Sequence, residues 1–227
     1  MQSARVSDFY STNRGGGLYS EAISQRVGAV IAYASHRLGI APTALTLINL
    51  LLVLGASVLV IARADATPFW VIGLIALVAW QIGYAFDCAD GQLARVSGRA
   101  SAAGGRVDVL ADVAAQISLV TAVAAVAVAH HPATPVWLVG AFAGTWMVNL
   151  VTSVMQSGAQ AASMVTSRSL PVRLVKLVRD YGAVILAIGL VLTLAPAWSL
   201  YLMWFFTAVN GLFLLASIAF SARASLR

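Results

Sequence analysis

Asp87, Asp90, Asp108 and Asp112 fall within 26 residues of a chain that has eight acidic residues in all. The first two lie in the string Asp87-Cys88-Ala89-Asp90-Gly91-Gln92-Leu93-Ala94-Arg95, and after eight residues the second two follow in Gly104-Gly105-Arg106-Val107-Asp108-Val109-Leu110-Ala111-Asp112. At about 100° per residue, Asp87, Asp90, Gly91 and Ala94 share one helix face with Arg95 at its edge. Gly104, Asp108 and Asp112 recur at steps of four and make a second face. Two helices presenting these faces to each other would converge four carboxylates on one small volume. Hard divalent cations relieve the repulsion in such a cluster, because Mg²⁺ prefers oxygen ligands and is often held together with substrate phosphates. Gly91, Ala94 and Gly104 then give clearance for something bulky between the helices. The plainer alternative is a carboxylate network paired with Arg95, Arg99 and Arg106 at a helix end. Ionised groups within membrane segments are expensive and tend to serve function, which favours the first reading.

The rest of the chain supplies the membrane. Of 227 residues 60% are hydrophobic and 10% charged, and the mean hydropathy is +0.88. That composition reads as a polytopic, all-α integral membrane protein of one domain. The net charge of +6 does not point to nucleic acid, because of where the charge lies. Thirteen of the fourteen basic residues fall in the N-terminal region, two loops and the C-terminal tail, all assigned to one membrane side, and only Arg63 falls on the other. This positive-inside bias puts the aspartates at the cytoplasmic face. A single cysteine, Cys88, excludes an internal disulfide and a Cys-rich zinc site. No n-region, apolar h-region and cleavage site occur in order at the N-terminus, so no removable signal peptide is expected.

Residues 1–19 are polar and read as a loose cytoplasmic arm. Ser20 and Glu21 suit the start of a helix. Over 20–38 Ile23, Val27, Val30, Ile31 and Ala34 recur at helical spacing beside the polar Arg26, His36 and Arg37, the pattern of an amphipathic helix lying in the membrane interface. Residues 39–227 hold six predicted spans with both termini cytoplasmic. Pro42 opens the first, and residues 42–61 carry no charge, about the length a bilayer core requires. The second runs from about Pro68 inward past Arg95, and the third from near Gly104 to about Ala129, where His130-His131-Pro132 makes a solvated outer loop. The fourth runs from near Thr134 to around Met164, with Asn149, Gln156 and Gln160 as polar points. Ala195-Pro196-Ala197 divides the remaining apolar length into the fifth and sixth.

The string D-x-x-D-G-x-x-A-R, eight residues, then G-x-x-x-D-x-x-x-D resembles the signature of the CDP-alcohol phosphotransferases, also called CDP-alcohol phosphatidyltransferases. All of its defining positions match: Asp87, Asp90, Gly91, Ala94, Arg95, Gly104, Asp108 and Asp112. Family members commonly open the first span with Pro-Asn-x-x-Thr. Here Pro42-Thr43-Ala44-Leu45-Thr46 keeps the second threonine and replaces the asparagine by Thr43. The resemblance implies transfer of a phospho-alcohol unit from a CDP-linked donor to an acceptor hydroxyl with release of CMP. CDP-diacylglycerol would be the donor in phospholipid synthesis. It implies Mg²⁺ or Mn²⁺, two ions, held by Asp87, Asp90, Asp108 and Asp112, with Asp112 as ligand or general base. It implies a nucleotide pocket lined by Thr46, Gly91, Ala94, Arg95 and Gly104, and a homodimer. Small-residue stretches such as residues 122–129 would permit close helix contact.

Arg168, Arg173, Lys176 and Arg179 form a basic run, the last three at steps of three. Turned toward the site they would suit a phosphorylated acceptor such as an inositol phosphate or glycerol phosphate, since Arg forks readily onto phosphate. The plainer reading anchors a cytoplasmic loop at lipid headgroups. A donor that is not a lipid, or a polyol acceptor, would also fit the signature. A divalent-cation transporter would place its acidic groups nearer the bilayer midplane and gives no reason for Gly91, Ala94, Arg95 and Gly104 at their spacings. A non-catalytic scaffold leaves the aspartates without a purpose. Scarce lysine beside abundant alanine and arginine suits a GC-rich bacterial source, and the expected location is then the bacterial plasma membrane.

Overall fold

Long stretches without charge become long helices, because a backbone in an apolar environment must satisfy its own hydrogen bonds. The computed structural model describes residues 4–13, 16–155 and 180–226. Among these, every regular element is helical: α1 (Val6–Ser11), α2 (Gln25–Arg37), α3 (Pro42–Ala62), α4 (Trp70–Val96), α5 (Ala102–His130), α6 (Val136–Met155), α7 (Tyr181–Leu194) and α8 (Ser199–Ser225). A π-helical turn, Ser20–Ser24, leads into α2, and a 3₁₀ turn, Pro196–Trp198, joins α7 to α8.

Four helical segments are long and apolar enough to cross a membrane: Pro42–Ala62, Trp70–Val96, Ala102–His130 and Pro196–Arg223. Val136–Val148 and Tyr181–Leu194 are shorter apolar helices. At 1.5 Å per residue the 14 residues of α7 reach about 21 Å, less than a hydrocarbon core of about 30 Å. Four of the six expected spans therefore have the length of a crossing; the expected fifth falls on the shorter α7, and the expected fourth begins on α6 (Val136–Met155). The predicted end of the fourth near Met164, with Gln156 and Gln160, lies outside the described residues.

The helices that matter most here are α3, α4 and α5: α3 packs against both α4 and α5, and α2 and α7 lie against further faces of α4. Pro42 occupies the first turn of α3, where its missing N–H costs nothing. Ser101 caps α5 by accepting from the Gly104 N–H at 3.0 Å. The core is built from small and branched residues on these helices, with Trp80, Leu119, Phe142, Trp146, Ile188 and Met203 fully enclosed. Trp146 stacks edge-on with Phe206 at 5.3 Å and so joins α6 to α8.

The N-terminal region departs from expectation. Phe9 on α1 is fully buried in a small core with Ala29, Ala32, Leu45, Ala89 and Leu93, so this part of the arm is packed and not loose. Ser20 does not cap a helix; its hydroxyl turns to Asp180 and Tyr84. The α2 face with the smallest side chains, Gly28, Ala29 and Ala32, is the buried one, while Val27 and Val30, with Ile23 in the turn before, face outward. His131 also differs from a purely solvated loop residue, since its Nε2 meets the Ala197 carbonyl at 2.8 Å.

Gly73 of α4 lies directly against α7, where a β-carbon would come within 2.7 Å of the Thr193 backbone. A larger residue there must push two helices apart. Gly73→Leu is expected to destabilise the bundle by about 1–3 kcal/mol, read as a lower thermal midpoint of the purified protein in detergent.

Candidate active site

Helices α4 and α5 run antiparallel through the turn at residues 97–101, so their aspartates meet in two layers. Three residues separate Asp87 from Asp90 and four separate Asp108 from Asp112, which on a helix is a rise of about 5–6 Å. Asp90 and Asp108 therefore lie toward the turn, and Asp87 and Asp112 deeper. Asp87, Asp90 and Asp108 each bring a carboxylate oxygen to within 4.8 Å of the others, the metal-capable carboxylate group found among the described residues. Asp112 is not part of that trio. It sits beside Asp87 in an inner compartment shared with Asn49, Trp80, Tyr84 and Tyr181. The expected four-way convergence is thus a trio plus one, with Asp87 common to both.

Helix α3 orients two of the carboxylates. The Thr46 hydroxyl donates to Asp90, and Asn49 Nδ2 donates to Asp87 Oδ1 at 3.1 Å. Thr46 and Asn49 are three residues apart, hence on one face of α3. Gly83 lets that face come close, since a β-carbon there would lie 2.8 Å from Val53 Cγ2 and 3.0 Å from Asn49 Oδ1. Asp90 is 6% exposed, so without the Thr46 hydroxyl one of its oxygens would lose a buried partner.

On the turn side of the trio opens a cleft with about 730 Å³ of atom-free space, part of it continuous with solvent. Its lining includes Thr46, Gly91, Ala94, Arg95 and Gly104 together with Asp90 and Asp108. All five residues that the resemblance assigned to nucleotide binding therefore line one cavity. Gly91 has a local reason as well: a β-carbon there would meet Arg95 Nη1 at 3.0 Å, so the guanidinium folds over the glycine. Thr43, Arg99 and Ser101 line the same cleft. Arg168, Arg173, Lys176 and Arg179 lie outside the described residues.

Sequence reasoning missed Asn49, Tyr181 and Asp180. Asn49 could have been found, because it continues the face of Thr46 one turn along α3. Tyr181 and Asp180 are distant in sequence from the motif and carried no signal of their own. The Tyr19 hydroxyl, held up from its ordinary titration range by burial and then by the Asp180 carboxylate, remains a donor and meets Gln81 Oε1 at 2.9 Å.

The residues suit a divalent cation by their chemistry. Three carboxylates converge, two of them held by neutral donors that leave their negative charge available, which is how hard oxygen-loving ions are bound. With an open polar cleft beside it, the carboxylate group lies at one end of the long apolar helices of an integral membrane protein. The family model for CDP-alcohol phosphatidyltransferase matches residues 39–219, about four-fifths of the chain. The chain belongs to the CDP-alcohol phosphatidyltransferase family. No curated protein gives a match. Family membership makes it a transferase that moves a phospho-alcohol group from a CDP-alcohol to a hydroxyl.

Removing a donor that orients a ligand carboxylate commonly weakens metal binding about 10- to 100-fold. Asn49→Leu is expected to lower Mn²⁺ affinity by that factor, measured by electron paramagnetic resonance of free ion, with the thermal midpoint little changed.

Proposed function

We propose that the protein transfers a phosphatidyl group from CDP-diacylglycerol to an acceptor hydroxyl in phospholipid synthesis, releasing CMP. The observation that carries this reading is the placement of Asp87, Asp90 and Asp108 within 4.8 Å of one another, with Asp90 and Asp108 lining the same cleft as Gly91, Ala94, Arg95 and Gly104. In this reading Asp87, Asp90 and Asp108 would hold Mg²⁺ or Mn²⁺, two ions in all, with Asp112 as a further ligand. Bound ions would supply charge neutralisation to the pyrophosphate oxygens of the donor.

The cytidine end lies in the cleft. Gly91, Ala94 and Gly104 leave room for it, Thr46 and Ser101 offer hydroxyls, and the Arg95 guanidinium faces the phosphates. Asp112 takes the proton of the acceptor hydroxyl as the new oxygen–phosphorus bond forms on the lipid-bearing phosphate. The bond from that phosphorus to the bridging oxygen breaks, and CMP leaves with the electron pair. Proximity to the reacting hydroxyl is what such a base requires, and the position of Asp112 behind the trio suits an acceptor approaching from the side opposite the nucleotide. Arg168, Arg173, Lys176 and Arg179 are the candidates for a phosphorylated acceptor on the strength of sequence alone.

The membrane setting fits this chemistry. A lipid donor and a water-soluble acceptor meet most readily at the ends of helices, and the positive-inside distribution favours the cytoplasmic face of a bacterial plasma membrane with six spans. The outward Ile23 of the π-helical turn and Val27 and Val30 of α2 suit a helix lying in the interface over residues 20–38. A homodimer follows from the family likeness.

Purified protein in detergent with CDP-diacylglycerol, Mg²⁺ or Mn²⁺ and inositol phosphate, glycerol 3-phosphate, serine or inositol is expected to release CMP with one of these acceptors only. Asp112→Asn should lower that rate by about 10²- to 10⁴-fold, the usual contribution of a positioned base. CMP release from a different CDP-alcohol alone would move the donor away from lipid, and ion transport without any nucleotide binding would overturn the transferase reading.

A further inference from the structure

Asp180 occupies the N-cap position of α7, yet its carboxylate does not cap that helix. It is 3% exposed and reaches instead to the amino-terminal segment, 160 residues earlier in the chain. Asp180 Oδ2 accepts from the backbone N–H of Tyr19 at 2.8 Å and of Ser20 at 3.0 Å, and Oδ1 accepts from the Ser20 hydroxyl. The approach is close enough to dictate glycine at two positions. A β-carbon on Gly17 would fall 2.1 Å from Asp180 Oδ2, and one on Gly182 would fall 2.8 Å from the Tyr19 ring and 2.9 Å from the Tyr84 ring.

Helix α4 closes the junction from the third side. Gln81 accepts from the Tyr19 hydroxyl at 2.9 Å and donates to the Gly182 carbonyl at 3.1 Å, and the Tyr84 and Ser20 hydroxyls lie 2.9 Å apart. The next residue along α7 from Asp180 is Tyr181, whose ring packs edge-on against Tyr84 at 5.1 Å. Tyr181 lines the inner compartment with Asp87 and Asp112. A buried carboxylate is a costly tie, and packed apolar residues hold segments together at least as well. What a fully satisfied polar junction adds is a single defined geometry.

We propose that Asp180 is a positioning residue: by gripping Tyr19 and Ser20 it fixes the start of α7 and holds Tyr181 against the compartment of Asp87 and Asp112, so that the amino-terminal segment is part of the acceptor side of the site. The role in acceptor binding rests on the transferase reading, whereas the coupling between the junction and the carboxylates does not. If the two are coupled, an ion at the carboxylates must stabilise the junction in return, by the reciprocity of linked equilibria.

Two measurements on the full chain separate these claims. In hydrogen–deuterium exchange, saturating Mn²⁺ is expected to slow exchange of peptides covering residues 16–24 by about threefold or more. Asp180→Asn should erase that slowing while Mn²⁺ still binds. Unaltered exchange on adding Mn²⁺ to the wild type overturns the proposal, whatever the activity. In the CMP-release assay, the acceptor KM is expected to rise about tenfold in Asp180→Asn and about threefold in Ser20→Ala, with the CDP-alcohol KM within about twofold of wild type. Equal losses toward donor and acceptor, tracking a drop in thermal midpoint, would mean a merely structural tie and overturn it too. A wild type silent with every acceptor sinks the transferase reading, and the exchange experiment then decides the junction by itself. Should Asp180→Asn fail to fold, Ser20→Ala, which removes one of three donors, carries both comparisons.

Discussion

Like charges must be held together inside an apolar bundle, and most of the arrangement around α4 and α5 answers to that constraint. Asp87, Asp90 and Asp108 would separate if the helices carrying them were free to rotate or slide. Their approach within 4.8 Å depends on close packing that leaves no such freedom. Gly83 admits α3 to the surface of α4, and Thr46 and Asn49 then tie two of the carboxylates by neutral donors. Neutral donors matter, because cationic partners would compensate the charge that a divalent ion needs. Arg95 meanwhile lies folded over Gly91 beside the cleft, toward the side where a phosphate-bearing ligand would sit.

The amino-terminal segment through α2 serves the same constraint from the opposite face of α4. Gly28 of α2 comes so close that a β-carbon would be 2.9 Å from Cys88 Cβ and 3.0 Å from the Ala85 carbonyl. Those residues flank Asp87, so α2 braces the very turn that carries the first ligands. Further along, the fully buried Gln92 donates to Asn13 Oδ1 and to the Gln25 carbonyl, both at 2.9 Å. Buried polar contacts of this kind narrow the register in which the two segments can dock. The arm is therefore a clamp on α4. The apolar residues left outside on α2 and the turn before it, Ile23, Val27 and Val30, are those a lipid surface would cover.

Asp112 shows how two antiparallel helices can divide a motif that looks uniform. All four aspartates share the same helical logic, yet the rise along α5 carries Asp112 past the trio into the compartment with Tyr84 and Tyr181. A residue set one layer behind the ligands can reach a substrate from another side than they do, so identical side chains come to serve different ends.

The sequence alone determined what depends on local order. The spacing of Asp87, Asp90, Asp108 and Asp112 fixed which face of each helix is acidic, and Pro42 fixed where α3 starts. The charge-free lengths fixed which segments leave water, and the fixed positions from Asp87 to Asp112 fixed the family, because each depends on residues a few positions apart. Only the tertiary structure decided what depends on distant partners. It brought Asn49 to Asp87, set Asp112 apart from the trio, buried Phe9 in an arm that reads as loose, and turned Asp180 from its own helix to Tyr19 and Ser20. No periodicity encodes a contact across 160 residues, because its geometry comes from how whole helices dock, and that is settled by close approach at Gly17, Gly83 and Gly182 rather than by any pattern along the chain.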